Sequence, residues 1–152
     1  MADERKAVLS GGCQCGAVRY ALYTEPDTAD ICHCRMCQKA VGNLFMAVAG
    51  VPLDAFAWTR GEPALFRSSS VAERTFCATC GTPLSFRYVE RPRISVTTGS
   101  LDEPARAKPT RQYGIEGRVP WWDEIASLPG TTTEQDPPPR GLESFQHPDR
   151  ER

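Results

Sequence analysis

The chain has 152 residues, with 18 lysines and arginines against 19 aspartates and glutamates and a formal charge of −1. That length is most simply one domain with a modest core. No basic excess is available to hold a phosphate backbone by counterion release, so nucleic acid is not an expected partner. Met1 to Gly12 is mixed in charge and has no apolar h-region. No apolar run approaches the roughly 18 residues of a membrane span, so a soluble cytoplasmic protein with no membrane partner is expected.

The periodicity is strand-like almost throughout. Ala17 to Tyr23 sets Val18, Tyr20 and Leu22 on one face with Arg19 opposite. Arg35 to Val41 reads as a short helix, and Leu44 to Ala49 as a short apolar strand. Val51 to Phe56, with Pro52 in its first turn, reads as another helical turn. Ala64 to Arg67 and Arg74 to Phe76 read as short extended segments. Thr82 to Val89 alternates through Leu84, Phe86 and Tyr88, and Arg93 to Thr98 repeats the pattern through Ile94 and Val96. Trp121 to Ala126 adds a last short turn after Pro120. The expected fold is small and mainly β, with one or two short helical turns. Thr131 to Arg152 holds three consecutive prolines, many charges, and only Leu142 and Phe145 as sizeable apolar residues. Such a segment buries too little surface to offset its ordering entropy. The expected division is a flexible N-terminus over 1–7, one domain over 8–129 and a flexible tail over 130–152.

Seven cysteines fall in three clusters: Cys13 and Cys15 as C-x-C, Cys32, Cys34 and Cys37 as C-x-C-x-x-C, and Cys77 and Cys80 as C-x-x-C. In a reducing compartment such clusters read as metal ligands rather than disulfides, and the odd count agrees. The two pairs supply the four thiolates of a closed, tetrahedral structural zinc. Gly12, Gly16 and Gly81 flank them and tolerate the turns that aim backbone N–H groups at thiolates. The rival for these four is a redox pair, but a thioredoxin-type motif needs a βαβ context that the sequence lacks. The triplet takes one face of a second zinc and leaves the fourth position open. A thiol entering that position is held as thiolate at neutral pH, ready to attack a carbonyl carbon. The rival here is a second closed site. His33 lies between two ligands and points away, and His147 lies in the tail, so only a carboxylate is left to close it.

Three segments carry a specific resemblance: Gly11 to Tyr20 (GGCQCGAVRY), Cys32 to Gly42 (CHCRMCQKAVG) and Arg74 to Leu84 (RTFCATCGTPL). Their order and spacing resemble those of the glutathione-dependent formaldehyde-activating enzyme family, which also includes centromere protein V. Thr98 to Asp102 resembles the family's later glycine turn, and the resemblance covers roughly residues 8 to 129, ending near Trp121-Trp122 and Leu128-Pro129. It implies a β-tent fold of stacked antiparallel sheets around two Zn2+ ions per chain. It places the structural zinc on Cys13, Cys15, Cys77 and Cys80, and the catalytic zinc on Cys32, Cys34 and Cys37. It also implies a carbon–sulfur lyase that joins formaldehyde to a small thiol such as glutathione as its S-hydroxymethyl adduct. Gln112 stands where a histidine is expected, which leaves any role of that histidine in question.

Arg35, Lys39 and Arg74 are candidate partners for substrate carboxylates, weighed against ordinary solvated charge. Trp121 and Trp122 are weighed between pocket lining and core packing. Glu73 and Glu90 read as exposed charges at strand ends, and no carboxylate stands out as a general base. A non-catalytic zinc-stabilised protein-binding module and a thiol metal buffer or redox sensor remain as other readings.

Overall fold

The computed structural model describes residues 5–150, so residues 1–4 of the expected N-terminal segment and 151–152 of the expected tail lie outside the described residues. Among the described residues ten short strands form two sheets. The smaller is antiparallel, ordered β1 (Leu9–Gly12), β2 (Arg19–Leu22), β5 (Phe56–Arg60). The larger runs β10 (Arg111–Tyr113), β3 (Thr28–Cys32), β4 (Met46–Pro52), β9 (Arg93–Thr97), β8 (Pro83–Tyr88), β7 (Ala72–Phe76), β6 (Ala64–Arg67). Its strands are antiparallel except for the β10–β3 pair, which sets Tyr113 opposite Cys32 in parallel. The mainly β expectation holds.

Among the described residues one α-helix, α1, spans Arg35–Val41 as its sequence pattern suggested. Cys34 caps its start through Sγ, which accepts the Cys37 N–H, and Gly42 ends it in the left-handed conformation. The turn expected over Val51 to Phe56 is corrected. Val51 and Pro52 finish β4, a single 3-10 turn covers Leu53–Ala55, and Phe56 opens β5. Pairing with Ile94 and Arg93 of β9 claims Val51 and Pro52 for the sheet. Trp122–Ser127 forms a longer 3-10 turn near the position expected. Among the described residues no helix is long and apolar enough to cross a membrane.

The core lies between the sheets. Leu9, Val18, Tyr20 and Leu22 from the β1–β2 side meet Val51, Leu84, Ile94 and Val96 from the large sheet, all buried. Edge-to-face contacts of Trp58 with Tyr20 and Phe56 widen this layer, with centroids 6.0 and 4.9 Å apart. Burial pushes the Tyr20 phenol well up, and its hydroxyl shares a hydrogen bond of 2.8 Å with Ser100. The Thr98–Asp102 turn is thereby tied to β2.

Two charges depart from the sequence reading. Arg19 does not face solvent: all four residues of β2 are buried, because both its faces are covered. Its guanidinium donates to Asp102 at 2.9 Å, and Ser10 Oγ also donates to that carboxylate. Glu73 is not a free strand-end charge either. It lies within β7, half-buried, 3.2 Å from Arg87 and 3.8 Å from Arg67.

Candidate metal centres and the adjoining cavity

Cys13 and Cys15 sit in the β1–β2 connection, and Cys77 and Cys80 in the β7–β8 connection. Each belongs to a different sheet, so the two hairpin tips meet where the sheets come together. The tips are built alike. Cys13 N–H donates to Val18 O at 3.0 Å, and Cys77 N–H to Thr82 O at 3.0 Å, closing each turn around its cysteines. Gly16 (φ 78°) and Gly81 (φ 79°) supply the left-handed step that lets the chain reverse within so few residues. The tips are also stitched to each other, because Gln14 N–H donates to Thr82 Oγ1 at 3.0 Å.

All four sulfurs lie within 4.8 Å of one another. Cys13 and Cys15 Sγ are 3.6 Å apart, and Cys15 and Cys77 Sγ 3.8 Å. A tetrahedron with metal–sulfur bonds of about 2.3 Å has edges of about 3.8 Å, so the donor set and its spacing fit zinc. The surroundings divide the four thiols: the Ala17 N–H favours the Cys15 thiolate, but burial and the neighbouring thiols push Cys15 up to about 12, whereas Cys77 and Cys80 are held low. Burial opposes ionisation of Cys80, but hydrogen bonds from Thr82 outweigh it and bring the thiol down to about 6. The Val18 N–H points at Cys13 Sγ at 3.3 Å.

The second cluster sits at one end of the large sheet. Cys32 ends β3, Cys34 caps α1, and Cys37 is buried in the helix. Their sulfurs also lie within 4.8 Å of one another, and among the described residues no histidine or carboxylate atom joins them. Burial raises the Cys32 thiol to about 12. Cys34 is held low: burial opposes this, but backbone and neighbouring thiol hydrogen bonds win. Three soft donors on one face suit zinc with a remaining position for substrate or water.

His33, between two of these cysteines, is fully buried and turned away. Its Nε2–H donates to Gln112 Oε1 at 2.8 Å, and its ring meets Trp122 edge-on with centroids 4.7 Å apart. Gln112 therefore has a place in this structure: it holds His33 from β10. Phe45 meets Trp122 edge-on at 5.1 Å and lies 6.1 Å from His33, so the three rings pack as one group with Trp122 partly buried, while Trp121 is exposed. The segment after β10 covers the same loop. Gln38 Nε2 bridges His33 O and Gly117 O at 3.0 Å each.

Arg74 of β7 reaches the cluster from the sheet. Its guanidinium donates to Cys37 Sγ at 3.4 Å and Met46 Sδ at 3.2 Å, and lies 4.9 Å from the Phe86 ring centre. Beyond Arg74 opens a cavity of about 790 Å³, within the usual range of small-molecule sites. Arg35, Lys39 and Arg74 line it together with Met36, Met46, Phe66 and Phe76. None of the cysteines is a lining residue, so Arg74 stands between the cavity and Cys37. The apolar part of this lining went unread in the sequence. Phe66 and Phe76 look there like ordinary strand residues, and only the pairing of β6 with β7 brings them together. Their one signal is exposure of large apolar side chains.

The tail returns to the first centre. From residue 130 onward the described chain has no strand or helix, yet His147 N–H donates to Gln14 O at 2.7 Å. Its imidazole rests on Gly16, filling the space a β-carbon there would need.

Comparison with known proteins adds to this geometry. An uncharacterized lyase of Schizosaccharomyces pombe is 33% identical over 78 residues, which is 51% of this chain and 56% of that protein's length. The chain thus matches little more than half of that relative. The crystal structure of a Rhodobacter sphaeroides protein superposes with a TM-score of 0.55 at 24% identity, over 68% of this chain and 98% of that one. It shares the fold. The family model for the glutathione-dependent formaldehyde-activating enzyme matches residues 8–116, a stretch that contains both cysteine clusters and every strand, and the chain belongs to that family.

Proposed function

We propose that the protein is a zinc-dependent lyase that makes or breaks the carbon–sulfur bond of a small thiol adduct of the S-hydroxymethyl type. The observation that carries this is the three-sulfur cluster of Cys32, Cys34 and Cys37 beside a basic, partly apolar cavity. Cys13, Cys15, Cys77 and Cys80 would hold a structural ion, and Cys32, Cys34 and Cys37 a catalytic one. When bound at the three-cysteine site, zinc supplies a Lewis-acidic position at which a substrate sulfur stays deprotonated at neutral pH. The family model and the lyase-named relative support the same class of chemistry.

In the forward direction the thiolate electron pair bonds to the formaldehyde carbon. The carbonyl π pair moves to oxygen, which takes a proton from water. In reverse the carbon–sulfur bond breaks, its pair returns to sulfur, and the hydroxyl proton is released with formaldehyde. The protein's own side chains position these events. Arg74 places positive charge against Cys37 and so offsets the negative charge that three thiolates gather. Arg35 and Lys39 offer cations at the cavity rim. Phe66, Phe76 and Met46 displace water from the substrate's body.

The test is Cys37→Ser. The variant is expected to fold, to lose one of two zinc ions by metal analysis, and to lose turnover of thiol–formaldehyde adducts. The loss should be about a hundredfold or more, since even groups that only orient a metal ligand cost 10–100-fold. Retention of both ions and full turnover would show the reading to be wrong. A wild type that turns over no thiol adduct would point instead to a zinc-stabilised binding module.

A further inference from the structure

We infer that the cavity beside Cys37 selects a thiol that is anionic, apolar in its body and free of any ammonium group. This deepens the proposed function and rests on it only in taking the ligand to be a thiol. Three cations line the cavity, Arg35, Lys39 and Arg74, and no aspartate or glutamate does among the described residues. Glu73, beside Arg74 in sequence, faces away and is engaged by Arg87 and Arg67. Helix α1 carries no acidic residue at all.

Arg74 already lies on Cys37, which leaves Arg35 and Lys39. Arg35 donates to the uncharged Gln38 Oε1 at 3.4 Å, and Lys39 makes no ion pair among the described residues. The two sit at i and i+4 of one short helix, where like charges destabilise by a few tenths of a kcal/mol. A bound anion relieves that repulsion. Between the cations the wall is apolar and strangely open: Phe66 is 59% exposed, Met36 55% and Phe76 36%. A ligand with a hydrophobic body covers them, while its carboxylate reaches the helix.

The same lining rejects an ammonium. An amine drawn against these walls loses hydration, finds no carboxylate, and meets cations of its own sign. Glutathione carries an ammonium beside its two carboxylates, so this cavity fits it less well than a simpler mercaptocarboxylate.

The experiment measures calorimetric binding of ω-mercaptohexanoate, ω-aminohexanethiol and glutathione to the full zinc-loaded chain, and turnover of the formaldehyde adduct of each. Mercaptohexanoate is expected to bind at least about tenfold tighter than either competitor, as one charge-assisted contact provides. In the Arg35→Gln/Lys39→Gln double variant, whose residues are exposed and whose fold is checked by circular dichroism, that preference should disappear. Aminohexanethiol binding should be unchanged or stronger there. Equal binding of all three thiols, tighter binding of glutathione, or an undiminished preference in the double variant would overturn the inference. Preferential binding of mercaptohexanoate without turnover of any adduct would sustain the inference and overturn the lyase reading. Turnover with no charge preference would do the reverse.

Discussion

Replacing Cys77 by serine is expected to abolish the fold, leaving a chain without near-ultraviolet circular dichroism at neutral pH even with zinc in excess. A structural zinc contributes roughly 10–16 kcal/mol of apparent binding energy. A whole domain is stable by only about 5–15 kcal/mol. The placement of these four cysteines makes the loss worse than the metal alone. Cys13 and Cys15 lie on the small sheet's hairpin and Cys77 and Cys80 on the large sheet's, so an ion held by all four would fasten one sheet to the other. Cys77 itself is buried within the core cluster, where serine would set a hydroxyl among apolar neighbours. The contrast with Cys37→Ser gives the expectation its force, since the two substitutions are chemically alike but fall at different centres, and Cys77 alone belongs to the core cluster. Chelation of the wild type should unfold it as well. A Cys77→Ser protein with native dichroism and a cooperative melt would show that the four-cysteine centre does not hold the fold.

Asp102→Asn is expected to lower the melting midpoint by roughly 6–20 °C, given about 3–5 kcal/mol for a broken buried pair and about 2–4 °C per kcal/mol at this size. Arg19 is 2% and Asp102 8% exposed, so asparagine removes the carboxylate that faces a guanidinium in the interior. The pair also sets an acid limit. Burial by itself would raise the Asp102 carboxyl, but hydrogen bonds from Arg19 and Ser10 outweigh it and hold the group below the usual carboxylate range. A carboxyl lowered on folding adds stability above its unfolded value of about 3.9, and that stability is lost as pH falls through the lower folded value. Wild type should therefore lose stability below about pH 4 more steeply than Asp102→Asn, whose residue 102 does not titrate. Thermal melts of both proteins from neutral to acid pH test this. A midpoint change under about 2 °C at neutral pH would mean that the pair contributes almost nothing.

What was legible in the sequence follows from how local each signal is. The cysteine clusters declare themselves because a possible metal site is written in spacings of one or two residues, and the structure brings each set of sulfurs together. β6 and α1 match their expected bounds because a short extended run and a capped helical turn are also local signals. β1 was hidden, since its Ser10-Gly11-Gly12 reads as a turn; yet Tyr20 lies so close to Gly11 that no side chain fits there. β3 opens on Thr28, Ala29 and Asp30, too polar to stand out until β4 and β10 pair with it. The Arg19–Asp102 pair joins residues 83 positions apart, and no pattern in either neighbourhood announces the other. The cavity is assembled from the helix and strands of the large sheet, so its lining is a property of the sheet order and not of any segment.

Cys34 serves two masters. Its sulfur belongs to the three-cysteine cluster and also receives the Cys37 N–H as the cap of α1. The residues that cap helices well are serine, threonine, aspartate, asparagine and glycine, whereas zinc accepts cysteine, histidine, aspartate or glutamate. Only aspartate is on both lists, and it would put a hard oxygen among soft sulfurs. If the proposed ion binds there, position 34 is nearly a one-letter alphabet: a substitution that spares the helix would empty the metal site, and one that spares the metal would fray the helix carrying Cys37. Mutation at this residue has almost no neutral path away from cysteine.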